Sequence, residues 1–238
     1  MSYRKSHVSF LKSEKSTKFQ KGRETVSKKK SNETIKVEIC KILNKIGALQ
    51  FGAFRLTSGK MSPYYIDLRI VPSFPDAFQS VCNFYVDFIK NEVGVKNFER
   101  VAGIPVAGIP FASLIAYNLK KPLLYVRKGE SLHGRQRRIE GIIAPGNRVL
   151  LVDDLVTTGL SLRNAARAVT AEGGIVTDAV ALLDRDEGGK KKLRQNNIEL
   201  HALLDISEIV NKLFDIGAID EEQLKTILKQ VKKEKKGN

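Results

Sequence analysis

Cysteines and long apolar runs are scarce in this sequence, and each shortage excludes a class of protein. The 238 residues include two cysteines, Cys40 and Cys82, which lie far apart and lack the paired spacing of a zinc site or a disulfide framework. No run approaches the roughly 18 to 20 apolar residues of a membrane span, and no apolar stretch of signal-peptide length follows the N-terminal lysines. We therefore expect a soluble protein of the reducing cytoplasm, without a membrane partner, in which both cysteines serve packing.

Two familiar nucleotide-binding motifs are missing as well. The chain contains neither the GxxxxGK[ST] of a P-loop nor the GxGxxG of a dinucleotide-binding domain, and it has no internal repeat. A phosphate site in this chain therefore has to use another kind of loop.

The net charge of +15 is concentrated at the two ends of the chain. Residues 1–34 contain ten Lys or Arg and three Glu, and residues 225–238 contain six Lys and one Glu, which leaves about +3 for the rest. Residues 1–30 are rich in Lys and Ser and carry few apolar residues, so we expect a disordered basic extension there and a basic tail from about residue 229. RNA or an anionic surface is the alternative reading of these ends, but no convincing helix-turn-helix supports a nucleic-acid partner.

Apolar periodicity predicts a single α/β domain over residues 31–238. Helical spacing of apolar residues indicates a helix that Gly47 ends, a second helix over 76–92 and two amphipathic helices that close the chain. Between them, unbroken apolar runs are typical of parallel strands covered on both faces. The predicted order is strand 100–104, helix 108–118, strand 122–127, strand 148–152, helix 160–172 and strand 176–183.

The segment VLLVDDLVTTGLS (149–161) carries the main candidate site. A buried strand leads to Asp153 and Asp154, and a short loop with Thr157, Gly159 and Ser161 leads into a helix, at the sheet edge where α/β proteins bind ligands. Backbone amides at a helix N-terminus favour a phosphate, whereas the two acids favour hydroxyl groups or a cation. A ribose 5-phosphate meets both demands. The alternative is that the acids cap the helix and the threonines fill a turn.

This motif resembles the signature of the type I phosphoribosyltransferases, and further segments narrow the resemblance to orotate phosphoribosyltransferases over about residues 40–235. FGAFRLTSGKMSPYYIDLR (51–69) looks like the opening of that family, and GIPVAGIPFAS (103–113) looks like its pyrophosphate-side loop. The resemblance implies a central, mainly parallel sheet flanked by helices, with a small hood and a mobile catalytic loop. The chain also resembles the transferase part of UMP synthase.

The segment LLDRDEGGKKKL (182–193) indicates the base. In the family, the arginine of such a run binds the carboxylate of orotate, and Arg185 matches it. A guanidinium pairs with a carboxylate through two parallel hydrogen bonds, which suits a base that differs from uracil by that group. Backbone contacts to the base are implied for Tyr64 and Tyr65. The alternatives are strand packing for the tyrosines and, for Arg185, a surface pair with a neighbouring aspartate.

The segment VRKGESLHGRQRRIEG (126–141) resembles the catalytic loop, which closes over the pyrophosphate and, in the family's dimers, reaches the neighbouring subunit's site. Arg127, Lys128 and His133 match the family pattern, and we take the flexible loop as residues 127–141. A lysine is usual at the position of Ser131, so the cation there is missing. Arg135 or Arg137 is our hypothesis for its replacement. Lysines of many family members are also replaced by Thr57 and Ala107.

The resemblance implies transfer of the phosphoribosyl group from 5-phosphoribosyl 1-diphosphate (PRPP) to orotate in UMP biosynthesis. Mg²⁺ is expected mainly on the substrate's own oxygens, with no protein metal site, and a homodimer is expected, with orotidine monophosphate decarboxylase as a separate polypeptide. A transferase for another base and a non-catalytic regulator are the alternatives. The implied catalytic residues are Lys128, His133, Asp153 and Asp154. The implied PRPP-binding residues are Arg127, Lys128, His133, Asp153, Asp154, Leu155, Val156, Thr157, Thr158, Gly159, Leu160 and Ser161. The implied orotate-binding residues are Tyr64, Tyr65, Thr157 and Arg185.

Overall fold

The computed structural model describes residues 32–55, 59, 61–127 and 138–236. The extension over residues 1–30 and most of the predicted catalytic loop lie outside these ranges. The helices are α1 Asn32–Lys45, α2 Pro75–Phe88, α3 Gly108–Leu119, α4 Leu160–Ala171, α5 Gly189–Arg194, α6 Ile206–Asp215 and α7 Glu221–Lys236. The strands are β1 Leu49–Arg55, β2 Met61–Ile66, β3 Arg100–Gly103, β4 Leu123–Val126, β5 Ile139–Glu140, β6 Val149–Val156, β7 Asp178–Asp184 and β8 Glu199–Asp205. Short 3₁₀ and π turns join α2 to its neighbours at Leu68–Ser73, Ile89–Val93 and Val95–Asn97.

Six strands form the central sheet in the order β5-β4-β3-β6-β7-β8. All neighbours pair in parallel except β4 and β5, which are antiparallel. Parallel strands joined by helices bring their carboxyl ends to one edge of the sheet. The predicted alternation of strands and helices is therefore confirmed, and β8 is an additional edge strand that has no counterpart in the prediction.

Two apolar clusters cover the two faces of the sheet. Along β6, Leu150 and Val152 belong to one cluster with α1, α2, α3, α6 and α7, whereas Leu151 belongs to the other with α4 and α5. Successive strand residues point to opposite faces, so an apolar residue at every position is what a doubly covered strand requires. Cys40 and Cys82 are free and fully buried, consistent with the predicted packing role.

The smaller sheet consists of β1 and β2, which pair antiparallel. It corresponds to the predicted hood. α7 lies against β2, and both Ile227 and Val231 of α7 are buried in the core. The residues from about 229 that the sequence assigned to a basic tail are thus helical as far as Lys236, because the apolar face of α7 continues through Val231.

Side chains cap the N-terminus of α7. Asp220 accepts a hydrogen bond from the Gln223 amide at 2.8 Å, and the Gln223 side chain accepts one from the Asp220 amide at 3.0 Å. This reciprocal pair is a capping box. Among the helices that the structure describes, none is both long and apolar enough to cross a membrane.

Candidate active site

The acid pair lies inside β6 and not after it, which corrects the sequence-based boundary. The predicted strand ended at residue 152, but pairing with β7 continues through Leu155 opposite Leu183 and Val156 opposite Asp184. The backbone of both acids is thereby fixed by the sheet. A carboxylate on a paired strand is held more firmly than one on a loop, which suits a group that must meet a substrate in one orientation.

Asp153 is buried with 7% of its surface exposed, whereas Asp154 is half-buried. The Asp153 Oδ1 atom accepts a hydrogen bond from the Asp154 amide at 3.0 Å. From α2, the buried Tyr85 hydroxyl donates to the Asp153 carbonyl oxygen at 2.7 Å. Sequence periodicity assigned Tyr85 only to a core-facing helix, because nothing local indicates that its hydroxyl reaches a strand 68 residues away.

Burial, the adjacent Asp154 carboxylate and a side-chain hydrogen bond between the two raise the pKa of Asp153 well above its ordinary range. Burial also raises the pKa of Asp154, against the hydrogen bond from Asp153 and the positive charge of Arg69, which lower it. Two neighbouring carboxyls with little water cannot both ionise cheaply. A cation or a developing positive charge on a ligand would therefore favour the ionised form of this pair.

The GIPVAG loop lies directly against the acid pair. At Gly108, a Cβ atom would stand 2.7 Å from the Val152 carbonyl oxygen and 3.0 Å from Asp153 Oδ1. Those distances are too short for any side chain, so only glycine lets α3 begin this close to the strand end. The predicted pyrophosphate-side loop therefore packs directly beside Asp153. Ala107, which stands where many family members have lysine, precedes α3 without a side-chain cap.

The predicted phosphate loop follows β6 without interruption. Gly159 has φ 70°, in the left-handed region that favours glycine, and it precedes the first residue of α4, Leu160. No side chain caps α4. The first amides of this helix therefore lack a side-chain acceptor, and together with the helix dipole they favour an anion. Thr157 and Thr158 are half-buried beside them, and Ser161 is exposed.

The second glycine of the DRDEGG run explains how the predicted base-binding segment meets the predicted phosphate loop. A Cβ atom at Gly189 would lie 2.5 Å from the Thr157 carbonyl oxygen and 3.1 Å from the Gly159 amide nitrogen. α5 therefore packs its first residue directly against the loop that precedes α4. The two motifs, which the sequence separates by about 30 residues, form one surface.

Arg185 and Tyr64, both assigned to orotate, are in contact. Arg185 Nη2 donates to the Tyr64 hydroxyl at 3.2 Å, and the guanidinium carbon lies 5.1 Å from the centre of the Tyr64 ring. The Arg185 amide donates to the Val156 carbonyl oxygen at 2.9 Å, which ties the arginine to the end of β6. Glu187 Oε1 lies 2.9 Å from Arg185 Nε as an ion pair, although Nε has no partner with hydrogen-bond geometry.

The anticipated surface pair of Arg185 with a neighbouring aspartate is not found among the described contacts. Asp184 is buried, and its Oδ1 accepts the Asp186 amide at 2.9 Å. Asp186 pairs instead with Lys235 of α7 at 2.8 Å. The Arg185 guanidinium, with its side chain 12% exposed, is held in place by Tyr64 and Glu187.

The two tyrosines of β2 point to opposite faces of the hood, as successive strand residues must. Tyr64 is 1% exposed and packs in the core, so the strand-packing reading holds for its ring while its hydroxyl accepts from Arg185. The Tyr65 ring lies 5.7 Å from that of Phe54, and its hydroxyl accepts from Arg69 at 3.0 Å. Sequence reasoning missed Arg69, whose charge reaches Asp154.

Arg127 lies at the N-terminal end of the predicted catalytic loop. Its amide donates to the Arg138 carbonyl oxygen at 2.8 Å, and its Nη1 donates to Glu140 at 3.4 Å. The antiparallel pairing of β4 with β5 thus brings the two ends of the loop together. Lys128 and His133, the other two loop residues predicted to act, lie outside the described residues.

The departures from the family pattern at Ser131 and Thr57 also fall outside the described ranges. So do Arg135 and Arg137, the suggested replacements for the missing loop cation.

Metal-ligating side chains do not cluster in the part of the chain that the structure describes: no group of three or more His, Cys, Asp or Glu could hold an ion there. Asp153 and Asp154 offer two adjacent carboxyls. Mg²⁺ is commonly bound by one or two carboxylates together with phosphate oxygens of a substrate. The donor set here fits a magnesium ion that arrives on its substrate.

Comparison with known proteins matches this geometry to a family. A model of the phosphoribosyl transferase domain matches residues 77–202. Orotate phosphoribosyltransferase of Staphylothermus marinus is 42% identical over 205 residues, which cover 86% of this chain and 98% of that enzyme. The chain belongs to the orotate phosphoribosyltransferase family.

Solved structures of family members extend the match to three dimensions. Orotate phosphoribosyltransferase from Aeropyrum pernix gives a TM-score of 0.68 at 30% identity and covers 76% of this chain and 99% of its own. UMP synthase from Leishmania donovani gives a TM-score of 0.74 at 31% identity, over 83% of this chain and 42% of its own. The predicted family and the predicted type I phosphoribosyltransferase fold are therefore confirmed.

Proposed function

We propose that this chain transfers the phosphoribosyl group from PRPP to a ring nitrogen of orotate, giving orotidine 5′-monophosphate and pyrophosphate in de novo pyrimidine biosynthesis. The observation that carries the proposal is the guanidinium of Arg185, held against Tyr64 and tied by its amide to the strand that bears Asp153 and Asp154. A carboxylate-binding fork thus stands beside a ribose-phosphate cradle. The family relatives named above are orotate phosphoribosyltransferases or UMP synthase.

The 5′-phosphate belongs to the loop from Thr157 to Ser161. This assignment is supported by the uncapped N-terminus of α4, by Gly159 in the left-handed region and by the hydroxyl groups beside them. Leu155, Val156 and Leu160 contribute through their backbone, since the Val156 side chain is buried and Leu160 opens the helix. Burying the phosphate there would hold the ribose at a fixed distance from the acids.

Asp153 and Asp154 receive the ribose hydroxyls and favour positive charge on the sugar. In the transfer, the bond from the anomeric carbon to the diphosphate oxygen breaks with its electron pair going to the diphosphate. The bond from the anomeric carbon to the orotate nitrogen forms, and the nitrogen proton is released. Positive charge grows on the ribose between those events, and carboxylates placed beside it stabilise that charge.

Orotate lies between Arg185 and the backbone at Tyr64 and Tyr65, with Thr157 at the boundary with the ribose. Arg185 supplies its remaining N–H groups to the orotate carboxylate, while Tyr64 and Glu187 restrain its other nitrogens. A partly buried guanidinium with part of its donor set unused rejects a base without a carboxylate, because the donors would lose water without gaining an acceptor.

In this proposal, Arg127, Lys128 and His133 bind the leaving diphosphate. Positive charge at this position stabilises the charge that develops as pyrophosphate departs. Ser131 lacks that charge, and Arg135 or Arg137 is proposed in its place. Single and double alanine variants of the two arginines test this: wild-type turnover in the double variant would dismiss the compensation.

Mg²⁺ is the proposed cofactor, carried on the diphosphate and ribose oxygens of PRPP. When bound, it neutralises charge on the leaving diphosphate. Of the two acids, the half-buried Asp154 would be the one able to contact it. Asp153 keeps Asp154 oriented through the hydrogen bond to its amide.

The proposed assembly is a homodimer with shared active sites in the cytoplasm. The family's loop reaches the neighbouring subunit, which would bring Lys128 and His133 of one subunit to the other's diphosphate. The decarboxylase that consumes orotidine 5′-monophosphate is proposed as a separate polypeptide. Sedimentation of the purified protein, and turnover in mixtures of Lys128→Ala and Asp154→Asn variants, test the shared site: recovered activity in the mixture supports it.

The deciding experiment is release of pyrophosphate by the purified chain with PRPP, Mg²⁺ and a panel of orotate, uracil and purine bases. We expect release with orotate only. Arg185→Ala should raise the KM for orotate far more than the KM for PRPP, and Asp154→Asn should remove most turnover while the fold stays intact. Equal effects of Arg185→Ala on both substrates, or near wild-type turnover of Asp154→Asn, would overturn those assignments.

A further inference from the structure

The C-terminal helix α7 contacts both walls of the proposed orotate site. Along its length it is anchored in the core by Ile227 and Val231, which are 0% and 2% exposed. It lies against β2, the strand that carries Tyr64, and the Gln230 side chain donates to the Met61 carbonyl oxygen at 3.4 Å. The helix is therefore fixed to the hood before its last turn begins.

That last turn reaches the other wall. The Lys235 ammonium lies 2.8 Å from Asp186 Oδ2, and Asp186 directly follows Arg185 in the chain. The Asp186 side chain is 18% exposed, and its buried Oδ2 accepts no hydrogen bond of good geometry, so the ammonium is what offsets its negative charge. The pair joins the hood helix to the turn that presents the orotate-binding arginine.

The turn itself is unusual in a way that makes an external restraint useful. Asp186 has φ 60°, in the left-handed region where residues other than glycine are uncommon. Its amide donates to Asp184 Oδ1 at 2.9 Å, and Asp184 is buried. Three features therefore converge on one residue: a strained backbone, an amide bound to a buried acid and a carboxylate bound to α7.

The neighbouring Glu234 adds negative charge near Tyr64. Its Oε1 accepts from Gln230 at 3.0 Å, and its charge adds to burial, the main cause, in raising the pKa of Tyr64, whose hydroxyl accepts from Arg185. The last turn of α7 thus lies near Tyr64, the residue against which the proposed orotate-binding guanidinium is held.

We propose that Lys235 is a positioning residue for orotate, acting through Asp186 to hold the Arg185 guanidinium against Tyr64. The proposal rests on the proposed role of Arg185 in binding the orotate carboxylate. A long side chain that is already ordered before the ligand arrives loses less conformational freedom on binding, which appears as tighter binding. α7 is accordingly part of the base site, although none of its residues was assigned to it.

The size of the effect follows from the exposure of the pair. Ion pairs at exposed positions contribute up to about 1 kcal/mol, roughly a fivefold change in affinity, and Lys235 is 48% exposed. The partner Asp186 is less exposed, so the effect should lie at the upper end of that range or somewhat above. We expect Lys235→Ala to raise the KM for orotate about three- to tenfold.

The test compares four variants in steady-state kinetics with orotate and PRPP varied separately. Lys235→Ala should change the KM for orotate alone, leaving kcat and the KM for PRPP within about twofold, and Lys235→Arg should restore the wild-type KM. Lys232→Ala is the matched control, because it removes an exposed positive charge from the same helix. Arg185→Ala reports whether the carboxylate role holds.

Each outcome decides one point. If Arg185→Ala raises the KM for orotate and Lys235→Ala leaves it unchanged, the positioning role is overturned and the proposed function stands. If Lys235→Ala lowers turnover and weakens both substrates together with a lower unfolding temperature, the residue is structural and the proposal is overturned. If Arg185→Ala leaves the KM for orotate unchanged, the carboxylate assignment and the positioning role both fall.

Discussion

Replacing Gly189 by alanine tests whether the base side and the phosphate side are one packed surface. The added methyl carbon would lie 2.5 Å from the Thr157 carbonyl oxygen and 2.8 Å from Val156 Cγ1, whereas ordinary contacts begin near 3.4 Å. The φ of Gly189 lies outside the left-handed region, so the methyl group and not the backbone conformation causes the conflict. The loop at Thr157 or the start of α5 has to move by roughly 1 Å, the scale on which positioning groups lose function.

The expected cost can be divided between catalysis and stability. A displacement of about 1 Å in a group that positions a substrate lowers the rate on the order of 100-fold. Overpacking of this kind destabilises by about 1–3 kcal/mol, which for a chain of this size lowers the unfolding temperature by roughly 2–12 °C. We therefore expect a folded variant whose kcat/KM for PRPP falls about 100-fold.

The assay is orotidine 5′-monophosphate formation with PRPP varied, combined with thermal unfolding of each variant. Gly146→Ala is the matched control, because Gly146 has φ 84° with nothing within 4 Å of its would-be Cβ, and it precedes β6 at the end of the strand away from the acid pair. This control should lose stability through backbone strain while keeping its kcat/KM within about threefold. A Gly189→Ala protein with wild-type kcat/KM for PRPP would refute the reasoning.

Three further predictions follow from the buried groups. Because the pKa of Asp153 is raised well above its ordinary value of 3.8, this group lowers the stability of the folded protein as pH rises above that value. We therefore expect Asp153→Asn to unfold at a higher temperature than the wild type at about pH 7, but not below pH 3.8. Equal unfolding temperatures for the variant and the wild type at both pH values would contradict the shift. Tyr85→Phe leaves the buried Asp153 carbonyl without its donor and should cost about 1–3 kcal/mol in urea unfolding; an unchanged midpoint would mean that this bond contributes nothing. Burial raises the pKa of both Cys40 and Cys82 to about 12, so the native protein should resist thiol reagents near pH 8 and react on unfolding; rapid labelling of the native protein would show that these thiols are accessible.

Local sequence pattern was sufficient for most of the sheet. The apolar run at 149–152 predicted a doubly covered strand because burial on two faces leaves no room for polar alternation, and the two clusters around β6 have that arrangement. The end of β6 was misplaced, because carboxylates are rare inside strands and the pairing that continues through Val156 depends on β7. β8, an edge strand in which polar and apolar residues alternate only over its first residues, was not recognised.

For the candidate site, short motifs in the sequence predicted which residues carry the chemistry. An acid pair, a threonine and glycine loop and an arginine in DRDEGG are short motifs whose side chains suit ribose, phosphate and carboxylate whatever surrounds them. The family comparison confirmed the identity that those motifs suggested. The roles of individual residues stay predictions until the variants described above are measured.

Only the tertiary structure decided how those residues are supported. Arg185 meets Tyr64 across 121 residues, Gly189 approaches Thr157 more closely than any side chain would allow, and Lys235 returns from the last helix to Asp186. Such contacts depend on how helices and strands pack, and no spacing along the chain encodes them. The residue types of the candidate site follow from the sequence, whereas their positions are fixed by contacts that form only when distant segments pack together.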